Sequence, residues 1–222
     1  MILTAHQPAY LPWLGYFDKI ARSDIFIFLD TVQFEKNSFI NRNKIKTPNG
    51  PIWLTIPVLQ KGHTDSTLLE TKIYNTKRWK VKHLRSIHMN YSKAKFFEIN
   101  YPKLQKLYSE DYDILSDLCY YQLLSWLKEL NIKTEVIRSS KLGIYSKKSD
   151  LILDLCRHFN ATEYISGILG KNYLEESKFE KNKIKILYQK YKHPVYEQLY
   201  GDFVPNMSIV DFWMNTYNYD LI

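Results

Sequence analysis

Residues 2–30 read ILTAHQPAYLPWLGYFDKIARSDIFIFLD, and this stretch decides the fold. Ile2–Ala5 is an apolar run too short for a helix, so it reads as a buried strand. Pro8 and Pro12 cannot continue a ladder and hold the residues before them extended, which makes residues 6–12 an irregular turn. Apolar residues then recur at 13, 14, 16, 17, 20 and 21, a helical spacing over Trp13–Arg22. Ile25–Leu29 is a second buried strand, closed by Asp30. Strand, turn, helix and strand in so short a span open an α/β domain with a mainly parallel sheet.

The pattern returns further along, with strands at 133–138, 163–166 and 183–189, a helix at 149–159 and a short helical piece before the last strand. Between the halves, residues 31–75 read as a β-rich insertion. Its Pro48-Asn49-Gly50 turn leads into a strand over Ile52–Val58, and Arg42, Lys44 and Lys46 form an exposed basic flank. Residues 76–131 read as a helical segment, with helices at 77–90, 95–108 and 112–130. Ser208-Ile209-Val210-Asp211 has the form of a capping box opening a last short helix. The expectation is one α/β domain over 1–222, with flanking helices, a β-hairpin insertion and a helical segment within it.

Composition bounds the function. The 222 residues carry 31 Lys and Arg against 23 Asp and Glu, a net charge of +8, and no run is long and apolar enough for a membrane span. The N-terminus lacks the basic and apolar regions of a signal peptide. Two widely spaced cysteines, Cys119 and Cys156, form no metal or disulfide pattern, which points to a reducing, cytoplasmic setting. The 18 Tyr, 11 Phe and 5 Trp stand against only 7 Gly. An excess of Lys, Asn, Ile and Tyr is also what an A/T-rich coding sequence produces, so charge alone does not name a partner.

In open α/β sheets, ligands sit beyond the carboxyl ends of the strands, at the point where strand order reverses. The segments there are His6–Trp13, Asp30–Gln33, Ser139–Ser140 and Ser166–Gly170. His6 suits a catalytic base titrating near neutrality, a donor to phosphate, or a residue that ties down the loop. The Gln7 amide can both donate and accept. Tyr10 and Trp13 face either core or ligand. Asp30 suits a catalytic carboxylate orienting His6, a ribose contact or a turn cap, with Gln33 a further polar candidate. Arg42 and Lys44 suit phosphate or carboxylate, and Lys61 with His63, around Gly62, suits a loop closing on an anion. His83 is a candidate substrate contact. Its spacing of five from His88 does not match a helical metal pair, and no metal is expected. Ser166, Gly167, Gly170 and Tyr173 lie where glycines let backbone N–H groups approach an anion, although the pattern is not a Walker motif.

The blocks HQPAYLPWLGYFDKIARSD, LDTVQFEKNSFINRNKI, WLTIPV, HMNYSKAKFF, YISGILGKNYL and YEQLYGDFVPNMSIVDF together resemble the WbqC-like family, in its order and over nearly the whole chain. The resemblance implies a bacterial protein of surface-polysaccharide (O-antigen, lipopolysaccharide) biosynthesis. The implied activity is a transferase placing an acyl or aminoacyl group on the amine of a nucleotide-linked amino sugar. The family's recurring positions match at His6, Gln7, Tyr10, Pro12, Trp13, Asp30, Gln33 and Arg42. They match again at Ser166, Gly167, Gly170, Tyr173, Gln198, Ser208 and Asp211. Thr31 stands where the family often has a second acid, which weakens a two-carboxylate reading of Asp30. A second resemblance concerns fold alone. Trp13-Leu14-Gly15-Tyr16 sits where HUP-like nucleotidylyltransferases carry HxGH, with both histidines replaced. It implies that Gly15 permits close backbone approach and that His6 takes over phosphate contact. The donor stays open between an activated acyl compound, a carboxylate activated with ATP, and an aminoacyl-tRNA. The alternatives are an ATP-dependent carboxylate-activating or nucleotidyl-transfer enzyme of the same pathway and a non-catalytic nucleotide or RNA binder, the last motivated by the basic and aromatic residues of 77–108. Oligomeric state is open.

Overall fold

A computed structural model describes residues 1–59, 66–75 and 78–221. In chain order the elements are β1 (Ile2–His6), α1 (Leu14–Ala21), β2 (Ile25–Phe28), β3 (Arg42–Ile45), β4 (Ile52–Thr55), α2 (Trp79–Tyr91), α3 (Phe97–Ser109) and α4 (Leu115–Glu129). There follow β5 (Glu135–Arg138), α5 (Lys148–His158), β6 (Glu163–Ser166), α6 (Glu176–Lys181), β7 (Lys185–Tyr188) and α7 (Ile209–Asn215).

The main sheet has the order β5-β2-β1-β6-β7, and every pairing in it is parallel. The first strand is therefore central. The chain builds outward through β2 and β5, then returns to β1's other side for β6 and β7. This is the doubly wound pattern, and its switch point lies between β1 and β6. Strand periodicity explains the unbroken run IFIF: Phe26 and Phe28 enter one core, Ile25 and Ile27 the other. One core lies toward α1, the insertion and α2, α3, α4 and α7, and holds Tyr10, Phe17, Trp79, Trp126 and Phe212. The opposite core packs Leu3 and Ala5 against Leu155 of α5 and Phe179 of α6.

The insertion forms an antiparallel hairpin, with Lys44 opposite Trp53 and Arg42 opposite Thr55. Gly50, at φ +98°, supplies the left-handed residue of its turn. Two expectations need correction here. Arg42 and Lys44 of the basic flank lie in strand β3 while Lys46, just beyond it, is buried with its Nζ donating to the Asp202 carbonyl, and β4 ends at Thr55 rather than Val58, because Pro57 has no N–H to continue a ladder. The capping box also does not form. The Asp211 carboxylate accepts hydrogen bonds from Tyr91, Tyr196 and Gln198, each at 2.7 Å, and the Ser208 N–H donates to the Lys44 carbonyl. A buried site with three side-chain donors outcompetes the helix start, tying α7 to α2 and to the segment between β7 and α7.

Both cysteines are free and buried, and burial pushes the Cys156 thiol up to about 12. Among the described residues no helix is long and apolar enough to cross a membrane.

Gly15 gives a test of packing against propensity. A Cβ there would lie 2.8 Å from Tyr191 Cδ1 and 2.9 Å from Trp13 Nε1. Helix propensity alone makes Gly15→Ala stabilising by about 0.5–1 kcal/mol. The packing predicts destabilisation by about 1–3 kcal/mol, measurable by urea unfolding. A more stable variant would show that both rings yield freely.

Candidate functional site at the switch point

β1 stays paired with β2 as far as His6 opposite Phe28, but with β6 only as far as Thr4 opposite Ile165. Beyond Thr4 the strands part. The side chain of Lys19 enters here, its Nζ donating to the Ala5 carbonyl at 2.9 Å. Lys19 is 3% exposed and, among the described residues, makes no ion pair. Burial lowers its pKa to about 7.

His6 stands at the lip of the gap. Its Nδ1 lies 2.9 Å from the Gln7 carbonyl, which can only accept, so Nδ1 carries the proton and Nε2 the lone pair. Its ring meets Tyr16 at 4.8 Å and Trp13 at 5.9 Å between centroids. Burial, with the Lys19 charge as a further cause, lowers its pKa to about 3. The expected titration near neutrality is thereby corrected: the unliganded histidine is neutral, a fixed acceptor. Gln7 is half-buried beside it.

On the β6 side, the Ser166 hydroxyl donates to the Gly167 carbonyl at 3.0 Å. A Cβ on Gly170 would fall 1.9 Å from Ser166 Oγ, so Gly170 serves close packing, whereas a Cβ on Gly167 would meet nothing within 4 Å. Gly167 is the open member of the turn. Tyr173 beyond it is 44% exposed.

Asp30 is fully buried and occupied. It accepts from Arg138 Nε at 2.5 Å, Ser139 Oγ at 2.9 Å, Ser140 N at 2.9 Å and Ser140 Oγ at 2.8 Å. Thr31 adds a hydroxyl contact to Ser139 at 2.9 Å. These bonds lock the end of β2 to the end of β5; no hydrogen bond joins Asp30 to His6. Gln33 lies exposed in the following loop.

Tyr10 and His83 belong to the core. The Tyr10 hydroxyl meets His83 Nδ1 at 2.8 Å and the Tyr108 hydroxyl, beneath Trp79. Burial lowers the His83 pKa to about 4, partly offset by a hydrogen bond to the Thr55 backbone. Gln198 is a clamp on Asp211 and the Val204 backbone. The Gly15 helix start is met by the Tyr191 ring and by Gln189, whose amide donates to the Gly15 carbonyl at 2.8 Å. Its close backbone approach is thus to protein. Lys61 and His63 lie outside the described residues.

From the crevice a series of rings runs outward, Trp13 to Phe39 at 5.6 Å and Phe39 to Trp53 at 5.6 Å. The Arg42 guanidinium lies 4.2 Å and Lys44 Nζ 4.9 Å from the Trp53 ring centre. A cavity of about 240 Å³ adjoins Arg42, lined also by Asn41, Phe34, Lys36, Thr55 and Tyr74. A larger one, about 520 Å³, lies between Gly143–Ser146 and the end of α5, and includes no residue from the parting strands. The residue that pattern reasoning missed is Lys19. Its signal is position: it falls three residues after Tyr16 on the apolar stripe of α1, where a lysine has no reason to be.

The sheet defines a doubly wound α/β protein with its candidate site at the carboxyl edge. The chain belongs to the WbqC-like protein family, whose model matches residues 7–220. The Mycobacterium tuberculosis protein Rv1507c, named only as uncharacterized, is 36% identical over 211 residues, which cover 94% of this chain and 91% of that protein. No solved structure matches.

Both buried histidines titrate at about 6.5 when unfolded and far lower when folded. The unfolded state therefore binds the extra protons. Stability conferred above pH 6.5 falls as pH drops toward 4, by up to about 1.4 kcal/mol per pH unit for each histidine. Urea titrations across this window should show the slope, and His83→Asn should flatten it. An equal slope in the variant would place the titration elsewhere.

Proposed function

We propose that the protein is a bacterial transferase of surface-polysaccharide biosynthesis, working in the cytoplasm, that places an acyl or aminoacyl group on the amine of a nucleotide-linked amino sugar. The observation that carries this reading is the His6 Nε2 lone pair at the lip of the gap between β1 and β6, above a buried ammonium. A crevice at a switch point suits a nucleotide. The Lys19 charge and the open backbone at Gly167 suit its diphosphate. The half-buried Trp13 and the Gln7 amide suit the sugar.

The lone pair of His6 accepts a hydrogen bond from the sugar amine and points the nitrogen at the donor carbonyl. As the C–N bond forms, the bond from that carbon to the donor's leaving oxygen or sulfur breaks. The amine proton passes to Nε2 and then to the leaving group. A base held near pKa 3 is weak, since efficiency is greatest near the working pH. A bound diphosphate opposes the Lys19 charge and raises the His6 pKa, because nearby negative charge favours the protonated form. In this reading the substrate completes the base. Asp30 acts as a positioning residue, holding the strand ends through Arg138 and Ser139–Ser140.

A second reading, carboxylate activation by ATP on a HUP-like sheet, has the doubly wound strand order in its favour. The Tyr191 ring against Gly15 speaks against phosphate at the start of α1. Release of pyrophosphate dependent on an acid substrate would select this second reading.

Replacing His6 with Ala should lower kcat by roughly 10²-fold or more and change KM little, measured with a panel of amino-sugar nucleotides and acyl donors. Full kcat in the variant would remove His6 from the chemistry.

A further inference from the structure

The outer face of the hairpin is unlike the rest of the surface. Residues directly opposite in an antiparallel pair share a face, and alternate residues along one strand do too. Arg42, Lys44, Trp53 and Thr55 therefore lie together on one side, while Asn43 and Leu54 point inward and are buried. That side holds Trp53, 40% exposed, and Phe39, 43% exposed, packs against it. Soluble surfaces rarely keep large aromatics in the open beside one another, and two cations over one of them raise the cost of covering it with an apolar protein face. Asn41 Oδ1 and Arg42 Nε, at the root of the same strand, are buried and have no hydrogen-bond partner among the described residues.

We infer that the strip Trp53–Phe39–Trp13, with Arg42 and Lys44 along it, binds the unpaired end of an RNA and leads that end to His6. Two exposed rings and the half-buried Trp13, with Arg42 and Lys44 over the outermost ring, match the chemistry of a single strand, flat bases beside anionic phosphates. Three successive rings exceed what one mononucleotide can cover, which favours a strand over the nucleotide of a sugar donor. The inner ring, Trp13, lies 5.9 Å from the His6 ring, so the strip ends at the crevice and not on a separate surface. Helices α2 and α3 offer less, since Trp79 and His83 point into the core and Lys80 is paired with Asp111 at 2.6 Å. The inference rests on the transfer reading in one respect, that an aminoacyl ester on the RNA end would be the donor. Binding by the strip does not depend on it.

The test is fluorescence anisotropy of a labelled single-stranded oligoribonucleotide with the full chain. Trp53→Ala and Phe39→Ala are the strip variants, and Tyr145→Ala, at an 89% exposed tyrosine outside the strip, is the control. Each strip variant should weaken binding about fivefold or more, the control should not, and circular dichroism should confirm equal folding. With two phosphates met by Arg42 and Lys44, log affinity should fall against log salt with a slope of about −1.4. Absence of binding at low salt, affinity unchanged by Trp53→Ala, or equally tight binding of uridine diphosphate at the strip would each overturn the inference. Oligoribonucleotide binding without acyl transfer to any amino sugar would sink the transfer reading and leave the strip standing. Transfer from a small-molecule donor with no oligoribonucleotide binding would do the reverse.

Discussion

The ammonium of Lys19, held on the Ala5 carbonyl, is the contact on which the carboxyl edge of the sheet depends. A central strand of a parallel sheet has carbonyls and N–H groups on both sides that must find partners. Where β1 loses β6, the Ala5 carbonyl takes a lysine in place of a strand. A buried cation without a carboxylate beside it costs several kcal/mol. The fold keeps it where the strands part, and its charge reaches the neighbouring histidine through a medium that screens poorly. Lys19 thus satisfies the Ala5 carbonyl where the strands part, and its charge adds to the burial that keeps His6 neutral.

Two buried carboxylates frame that arrangement in different ways. Asp30 meets a guanidinium and two serines, and its role is to keep the ends of β2 and β5 in step beside the crevice. Asp211 meets two tyrosines and an amide, all neutral, and burial raises its pKa. The first is a charged joint within the sheet. The second is a joint between α7, α2 and the segment between β7 and α7. Neither leaves an oxygen free for chemistry, which leaves the lip of the gap to His6.

Most of the architecture was legible along the chain, because apolar runs and periodic stripes are local signals. The switch-point segments after β1, β2, β5 and β6 were legible too, since a parallel sheet dictates where its carboxyl ends lie. What local pattern could not show was which polar side chains consume one another. Asp30 and Ser139–Ser140 were both visible at strand ends, but their mutual saturation depends on β2 and β5 being neighbours across more than a hundred residues. Tyr10 looked like a site residue because it lies in the turn after β1, and His83 because it stands beside lysines and among aromatics on a helix. Only the helices packed on them reveal a core pair. The basic strand β3 escaped notice because its buried positions are Asn43 and Ile45, a weak alternation with a polar inner residue.

The bond from Ser208 to the Lys44 carbonyl and the Asp211 network bring the last helix against the hairpin and α2. The strand order likewise places the first strand made between an early and a late one. A ribosome delivers these pieces in the worst order for closure. β1 emerges first yet lacks its β6 neighbour until three-quarters of the chain has followed, and the insertion's core stays open until α7 clears the exit tunnel. Non-local pairings are formed late and leave apolar surface uncovered meanwhile. The nascent chain therefore keeps apolar surface uncovered until late, and a premature stop within α7 would release a polypeptide whose aromatic core lacks part of its lid.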